Sequence, residues 1–249
     1  MRKVTLLLAL VFCFLAFNQA IAAQKVSIAT LNWEPYVGEN LTDKGFTSEI
    51  VSRAFEEAGY SPEINFMPWA RVMKMTEKGR YDAAFPAYYS QERAQKYAIS
   101  EAFAQGPVVL ASKSGAGITY SSIDDLKPYR IGVVKGFVNS EEFDAADYLT
   151  KDPARNNLQN LKKLLKGRVD LIAIDKVVAV NLLKNNPSLS GDLGDVTFLD
   201  KPLDKKSLHV LISKNVDNYK QMLNDFNAAL KSLSEDGTID QILKKHGLK

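Results

Sequence analysis

One phrase occurs twice, and it limits the fold more than any other feature of the chain. Residues 78–85 read Lys-Gly-Arg-Tyr-Asp-Ala-Ala-Phe, and residues 166–173 read Lys-Gly-Arg-Val-Asp-Leu-Ile-Ala. Each copy follows a stretch with helical periodicity and opens an apolar run of strand length. A charged residue closes each run: Arg93, just past Pro86-Ala-Tyr-Tyr-Ser-Gln-Glu, and Asp175. Repetition of a helix–glycine–strand unit implies two α/β units of similar build. Each would supply one charge, of opposite sign, to a cleft between them.

The surrounding pattern agrees. Lys25–Thr30 alternates as a strand, and Leu31-Asn-Trp-Glu-Pro-Tyr-Val-Gly38 is a loop. Thr47 or Ser48 is placed to cap a helix to Ala58 with Ile50, Val51, Ala54 and Phe55 on one face. A strand over 62–67, a helix from Pro68-Trp69 to Gly79 and a strand over 82–85 complete a parallel β-α-β-α-β series. Pro107–Ser112 is a further strand, and Gly115 and Gly117 mark a change of region. Arg130–Val134 opens a second series: a helix capped by Asn139 or Ser140 and running to Leu149, a helix striped by Leu158, Leu161, Leu164 and Leu165, a strand over 169–174, and a helix from Asp175 to Lys184. Short strands at 196–199 and 207–213 follow, then helices from Asn215 to His246 broken at Asp236-Gly237. The pattern leaves open which unit this tail joins.

The first 22 residues read as a leader. A positive start (Arg2, Lys3), an apolar run from Val4 to Phe17 and a small-x-small site at Ala20-Ile21-Ala22 make a secretory signal peptide over 1–22. The run is shorter than the roughly 20 apolar residues of a spanning helix. The only cysteine, Cys13, lies inside it between Phe12 and Phe14, an unsuitable setting for lipid attachment. The mature chain, from about Ala23, therefore has no disulfide, catalytic thiol or cysteine metal site. The formal charge is only +3, and losing Arg2 and Lys3 brings it closer to zero. No basic run suggests nucleic acid. No Ser-His-Asp set or metal-ligand cluster stands out, His209 and His246 have no partner in sequence, and no cofactor is expected.

In order along the chain, Trp33-Glu-Pro-Tyr36, Gly45-Phe46, Pro68-Trp69, Gly79-Arg-Tyr-Asp82, Ser90-Gln-Glu-Arg93, Ile131-Gly-Val-Val-Lys-Gly136, Gly167-Arg-Val-Asp170 with Asp175, and Asp236-Gly237-Thr238 resemble the periplasmic solute-binding proteins of amino-acid-type ABC importers, bacterial extracellular solute-binding family 3. The ordered set, rather than any one piece, carries the resemblance. It implies an α/β, two-lobe type II periplasmic-binding-protein fold, each lobe a mostly parallel sheet flanked by helices, joined by two hinge strands. The C-terminal part would return to the first lobe: 24–105 plus 205–249, with 106–204 as the second. The implied role is capture of an amino acid or related zwitterionic or carboxylate solute by a periplasmic monomer, and delivery to an inner-membrane ABC permease. An enzyme on the same fold, of the cyclohexadienyl dehydratase kind, and a ligand sensor acting in trans are the rival readings. No acid–base spacing marks the enzyme.

The resemblance assigns the ligand carboxylate to Arg93 and the ligand amino group to Asp175. A guanidinium grips a carboxylate with parallel hydrogen bonds. Taken without the resemblance, Ser90–Arg93 reads first as an ordinary exposed turn with a solvated arginine, and Asp175 equally as a helix N-cap. Trp33 and Trp69, the only tryptophans, read either as core or as flat walls against the ligand. Tyr88 would line the pocket, whereas Tyr36 reads as structural. Arg71 would either reach a second acidic group or sit on a helix surface. Pro86 and Tyr88 stand where relatives tend to have small hydroxyl residues, and Phe137-Val138 stand where they tend to have Ser or Thr. Phe137 therefore joins the expected ligand-binding set, and only backbone donors would remain beside it.

Overall fold

In the computed structural model, which describes residues 23–248, ten strands form one sheet. The expected leader, with Cys13, lies outside the described residues. The sheet runs β2 (Tyr60–Phe66), β1 (Gln24–Thr30), β3 (Ala83–Tyr88), β10 (Asp204–Ser213), β5 (Ala104–Lys113), β8 (Leu171–Asp175), β6 (Arg130–Val134) and β7 (Thr150–Ala154). β4 (Tyr97–Ile99) lies beside β10, and β9 (Val196–Phe198) beside β5.

Strands β2, β1 and β3 are parallel, as are β7, β6 and β8. The two parallel sheets expected from the repeat are thus two triplets within one mixed sheet. Two long antiparallel strands join them. β5 pairs with β10 over 104–108 and with β8 over 108–112. β10 pairs with β5 over 204–208 and with β3 from 208 to 212. Each long strand therefore serves both triplets.

The repeated phrase has the same job in both. Helix α1 is Phe46–Glu57, α2 Trp69–Glu77, α3 Gln91–Lys96, α4 Glu141–Ala145, α5 Asn157–Leu165, α6 Lys176–Asn185, α7 Tyr219–Glu235 and α8 Thr238–Lys245. Gly79 ends α2 at φ +67° and Gly167 ends α5 at φ +66°, a left-handed turn that glycine adopts without a Cβ penalty. The aspartate of each copy then ties the next strand to its parallel neighbour. Asp82 accepts from the Ser27 backbone N–H at 2.7 Å, and Asp170 from that of Arg130 at 2.8 Å.

Several boundaries differ from the sequence pattern. Gly45, not Thr47 or Ser48, caps α1. Thr47 Oγ1 instead donates to the Tyr36 carbonyl and Ser48 Oγ to that of Lys44, fixing the loop before the helix. Helix α4 stops at Ala145 rather than Leu149, because β7 begins at Thr150. β7 carries Pro153 and pairs only with β6. Proline is tolerated on such an edge but hides a strand from pattern reading.

Alternation along the strands separates the buried clusters. Val109, Ala111, Ile172 and Ile174 pack with α5 and α6, while Leu110, Leu171 and Ala173 pack with Ile131 and Phe143 on the opposite face. A third cluster joins residues of 26–108 to 208–242. Phe226 of α7 lies against Phe55 of α1 with ring centroids 4.7 Å apart, so the tail packs on the first triplet. No helix among the described residues is long and apolar enough to cross a membrane.

Candidate ligand-binding site

Ser90–Arg93 is not an exposed turn. Ser90 Oγ accepts from the Arg93 backbone N–H and starts the short helix α3, which turns the Arg93 side chain inward. Arg93 is only 6% exposed. Its Nη1 donates to the Tyr88 carbonyl at 2.6 Å and Nη2 to the Gly136 carbonyl at 2.9 Å. The guanidinium carbon lies 5.4 Å from the centre of the Trp69 ring, a favourable cation–π placement. Burial pushes the Arg93 pKa down to about 10. Among the described residues no carboxylate lies within ion-pair distance of it. A buried cation normally has an anionic partner.

Aromatic side chains surround that cation. Leu31, Trp33, Trp69, Pro86, Tyr88, Phe137, Val138 and Leu208 line a small cavity beside it, about 20 Å³, room for about one water molecule. Phe137 meets Trp33 and Trp69 edge-on, with centroids 6.1 and 6.2 Å away. Leu31, Trp33, Trp69 and Phe137 also line an outer chamber of about 450 Å³, within the roughly 300–1,000 Å³ of small-molecule sites. Arg155, Glu34 and Asn157 face this chamber. Asn157 is 5% exposed, and neither its Nδ2 nor its Oδ1 has a hydrogen-bond partner among the described residues.

Asp175 ends β8 and caps α6. Its Oδ1 accepts from the backbone N–H groups of Val177 and Val178 at 2.9 and 3.0 Å. Its Oδ2 accepts from Tyr88 Oη at 2.8 Å and Tyr36 Oη at 3.2 Å. Burial pushes the carboxyl pKa up, and these four donors pull it back. Gly106 of β5 makes the approach possible: a Cβ there would sit 2.1 Å from Asp175 Oδ2. Tyr88 connects the two charges, its carbonyl on Arg93 and its hydroxyl on Asp175.

Burial and the Asp175 charge raise the Tyr36 and Tyr88 pKa values well above the ordinary phenol range, and burial pushes Tyr60, Tyr97 and Tyr120 up to about 12. At pH 11 the native protein should therefore show no more than about half the tyrosinate absorbance of the unfolded chain, which has ten tyrosines titrating near pH 10. The fold favours the neutral phenols. Their stabilisation is complete below about pH 10 and is lost as pH rises through the higher native values.

Of the expected residues, the structure brings Trp33, Trp69, Tyr88, Arg93 and Phe137 to one cavity, with Asp175 behind Tyr88. Arg71 lies exposed on α2 and lines neither chamber. Phe137 has turned its backbone N–H to the Val134 carbonyl, and Gly136 presents an acceptor to Arg93. Of the backbone donors expected at Phe137-Val138, that of Phe137 is thus already engaged. Tyr36, read as structural, is a direct partner of Asp175, and its place in the Trp33-Glu-Pro-Tyr36 rim loop was the available signal. Gly106 and Leu208 carry no local signal at all. His246 Nε2 is 2.7 Å from Glu49 Oε2 on α1, away from the cavity.

Comparison with known proteins gives the family. The model described as bacterial extracellular solute-binding proteins, family 3, matches residues 26–249. The arginine-binding extracellular protein ArtP of Bacillus subtilis is 24% identical over 212 residues, covering 84% of this chain and 78% of that protein. The L-cystine-binding protein TcyJ of Escherichia coli is 24% identical over 207 residues, covering 81% and 73%. A crystal structure of a mutant ArgBP from T. maritima superposes with a TM-score of 0.75 at 17% identity, covering 90% of this chain and 96% of that one. The fold is the α/β type II periplasmic-binding-protein fold, and the chain belongs to the bacterial extracellular solute-binding proteins of family 3, amino-acid-type binding components of ABC transporters and not enzymes.

Proposed function

We propose that this chain captures a small carboxylate-bearing solute, an amino acid or a relative of one, and delivers it to an ABC permease in the inner membrane. It works as a periplasmic monomer released from the leader at 1–22. Residues 24–105 with 205–249 form one lobe and 106–204 the other, closing about β5 and β10. Arg93 grips the carboxylate, and Trp33, Trp69 and Phe137 hold the body of the solute. The carrying observation is the buried Arg93 guanidinium, which lines an aromatic cavity with no anionic partner among the described residues. The relatives named for arginine and cystine binding support an amino-acid-like solute.

A thermal-shift screen of the mature protein against amino acids, organic acids, sugars and amines tests this. A carboxylate at 100 times its Kd adds about 2.7 kcal/mol, which raises the melting temperature by roughly 5–11 °C in a protein of this size. A panel in which sugars or amines shift the melt and no carboxylate does would overturn the proposal.

A further inference from the structure

We infer that the outer chamber receives a second polar head: the solute is a two-headed amino acid, with an ammonium and a carboxylate at its far end as well, and Asn157, Arg155 and Glu34 read that end. This rests on the carboxylate reading above and names the far end of the same solute.

The chamber is lined by charges of both signs. Glu34 and Glu39 come from the loop after β1, and Arg155 from the link between β7 and α5. Neither Glu34 nor Arg155 makes an ion pair among the described residues. The start of α5 stands beside Arg155, with Asn156, Asn157 and Leu158 in the lining. Asn156 Oδ1 accepts from the Gln159 backbone N–H at 2.9 Å, and the N–H groups of Asn157 and Leu158 have no acceptor within the helix. Such an end favours an anion. Asn157 makes it more than a bare helix terminus. Its side chain is buried, and both its amide atoms are without a hydrogen-bond partner among the described residues. A buried amide left unpaired is costly, and this one borders a chamber large enough for a solute. It offers two donors and an acceptor, and because both ends are unpaired this holds whichever way the amide is turned.

The distal group must answer all of these. An apolar end would leave the Asn157 amide unpaired. A lone carboxylate would suit Arg155 and α5 but meet Glu34 and Glu39 with like charge, and a lone ammonium would suit the glutamates but not Arg155. A head bearing both gives its carboxylate to Arg155 and the α5 end, its ammonium to Glu34, and a partner to each end of the Asn157 amide. The near head stays on Arg93. The chain between the heads passes Leu31, Trp33, Trp69 and Phe137, which line both chambers.

Calorimetric titration of the unfolded, washed and refolded mature protein with two matched pairs tests this: LL-2,6-diaminopimelate and L-norleucine, L-cystathionine and L-ethionine. Within a pair one head and the chain are the same, and only the distal head is missing from the second member. A hydrogen bond to a charged group is worth roughly ten- to a hundredfold in affinity, so the two-headed member should bind tighter by at least that factor at one length or both. Asn157→Leu removes an unpaired buried amide and should melt no lower than the wild type. It should nevertheless cut the two-headed preference roughly tenfold, with norleucine and ethionine bound as before. Arg155→Gln, at an exposed position, should cut the preference too, and it carries the test if Asn157→Leu does not fold. Equal binding within both pairs, or a preference that survives these substitutions, overturns this inference alone. So does a screen in which other carboxylates bind and none of these four does. If no carboxylate binds at all, the inference falls together with the reading beneath it.

Discussion

Arg93→Met should abolish solute binding while leaving the ligand-free protein about as stable as before. The two effects separate because the guanidinium has different partners in the two states. In the free protein it is buried, lowered in pKa by desolvation, and held only by two backbone carbonyls and an indole face. Exchanging a buried charge for an apolar side chain of similar size is often neutral or stabilising. The lost bonds matter little for Gly136, whose carbonyl keeps the Trp69 N–H. We expect a change within about 1 kcal/mol by denaturant titration. Binding is another matter. Removing one partner of a buried, hydrogen-bonded charge pair costs about 2–5 kcal/mol, roughly thirty- to several-thousandfold in Kd. Arg93→Lys should fall between, since a point charge replaces the two-pronged fork. If the Arg93→Met protein binds any solute of the wild type within threefold, the cation is not the anchor.

Gly106→Ala should be among the most damaging single-methyl additions available to this chain. The backbone there does not need glycine, since its φ lies outside the left-handed region; the space does. A Cβ would sit 2.1 Å from Asp175 Oδ2, 2.6 Å from Tyr36 Oη and 3.1 Å from Tyr88 Oη. The carboxylate cannot retreat without releasing both hydroxyls or leaving the α6 backbone donors. A buried charge stripped of its partners costs about 3–5 kcal/mol, or roughly 6–20 °C in melting temperature at this size. Gly194→Ala is the control: its Cβ would come no closer than 3.2 Å to Asp192 Oδ1, at an exposed turn. Equal melting temperatures for the two variants would mean that Asp175 and its tyrosines are not a rigid unit.

The order and type of the elements were legible in the residues alone. Apolar period distinguishes helices from strands, and the twice-used Lys-Gly-Arg phrase reflects a local need, a left-handed glycine followed by an aspartate that ties a strand to its neighbour. Both demands arise within a few residues of chain, so they show in a few residues of sequence. The gathering of aromatics around Arg93 was legible for the same reason: Trp33, Trp69 and Phe137 lie at the ends of elements, which in an α/β sheet converge on one side. What those residues do for one another emerges only once the chain is folded. That Asp175 is already filled depends on two tyrosine hydroxyls from 87 and 139 residues away, on a glycine in a third strand, and on two long strands shared between the triplets. Hydrogen-bond saturation is a property of the assembled neighbourhood, and no local pattern encodes it.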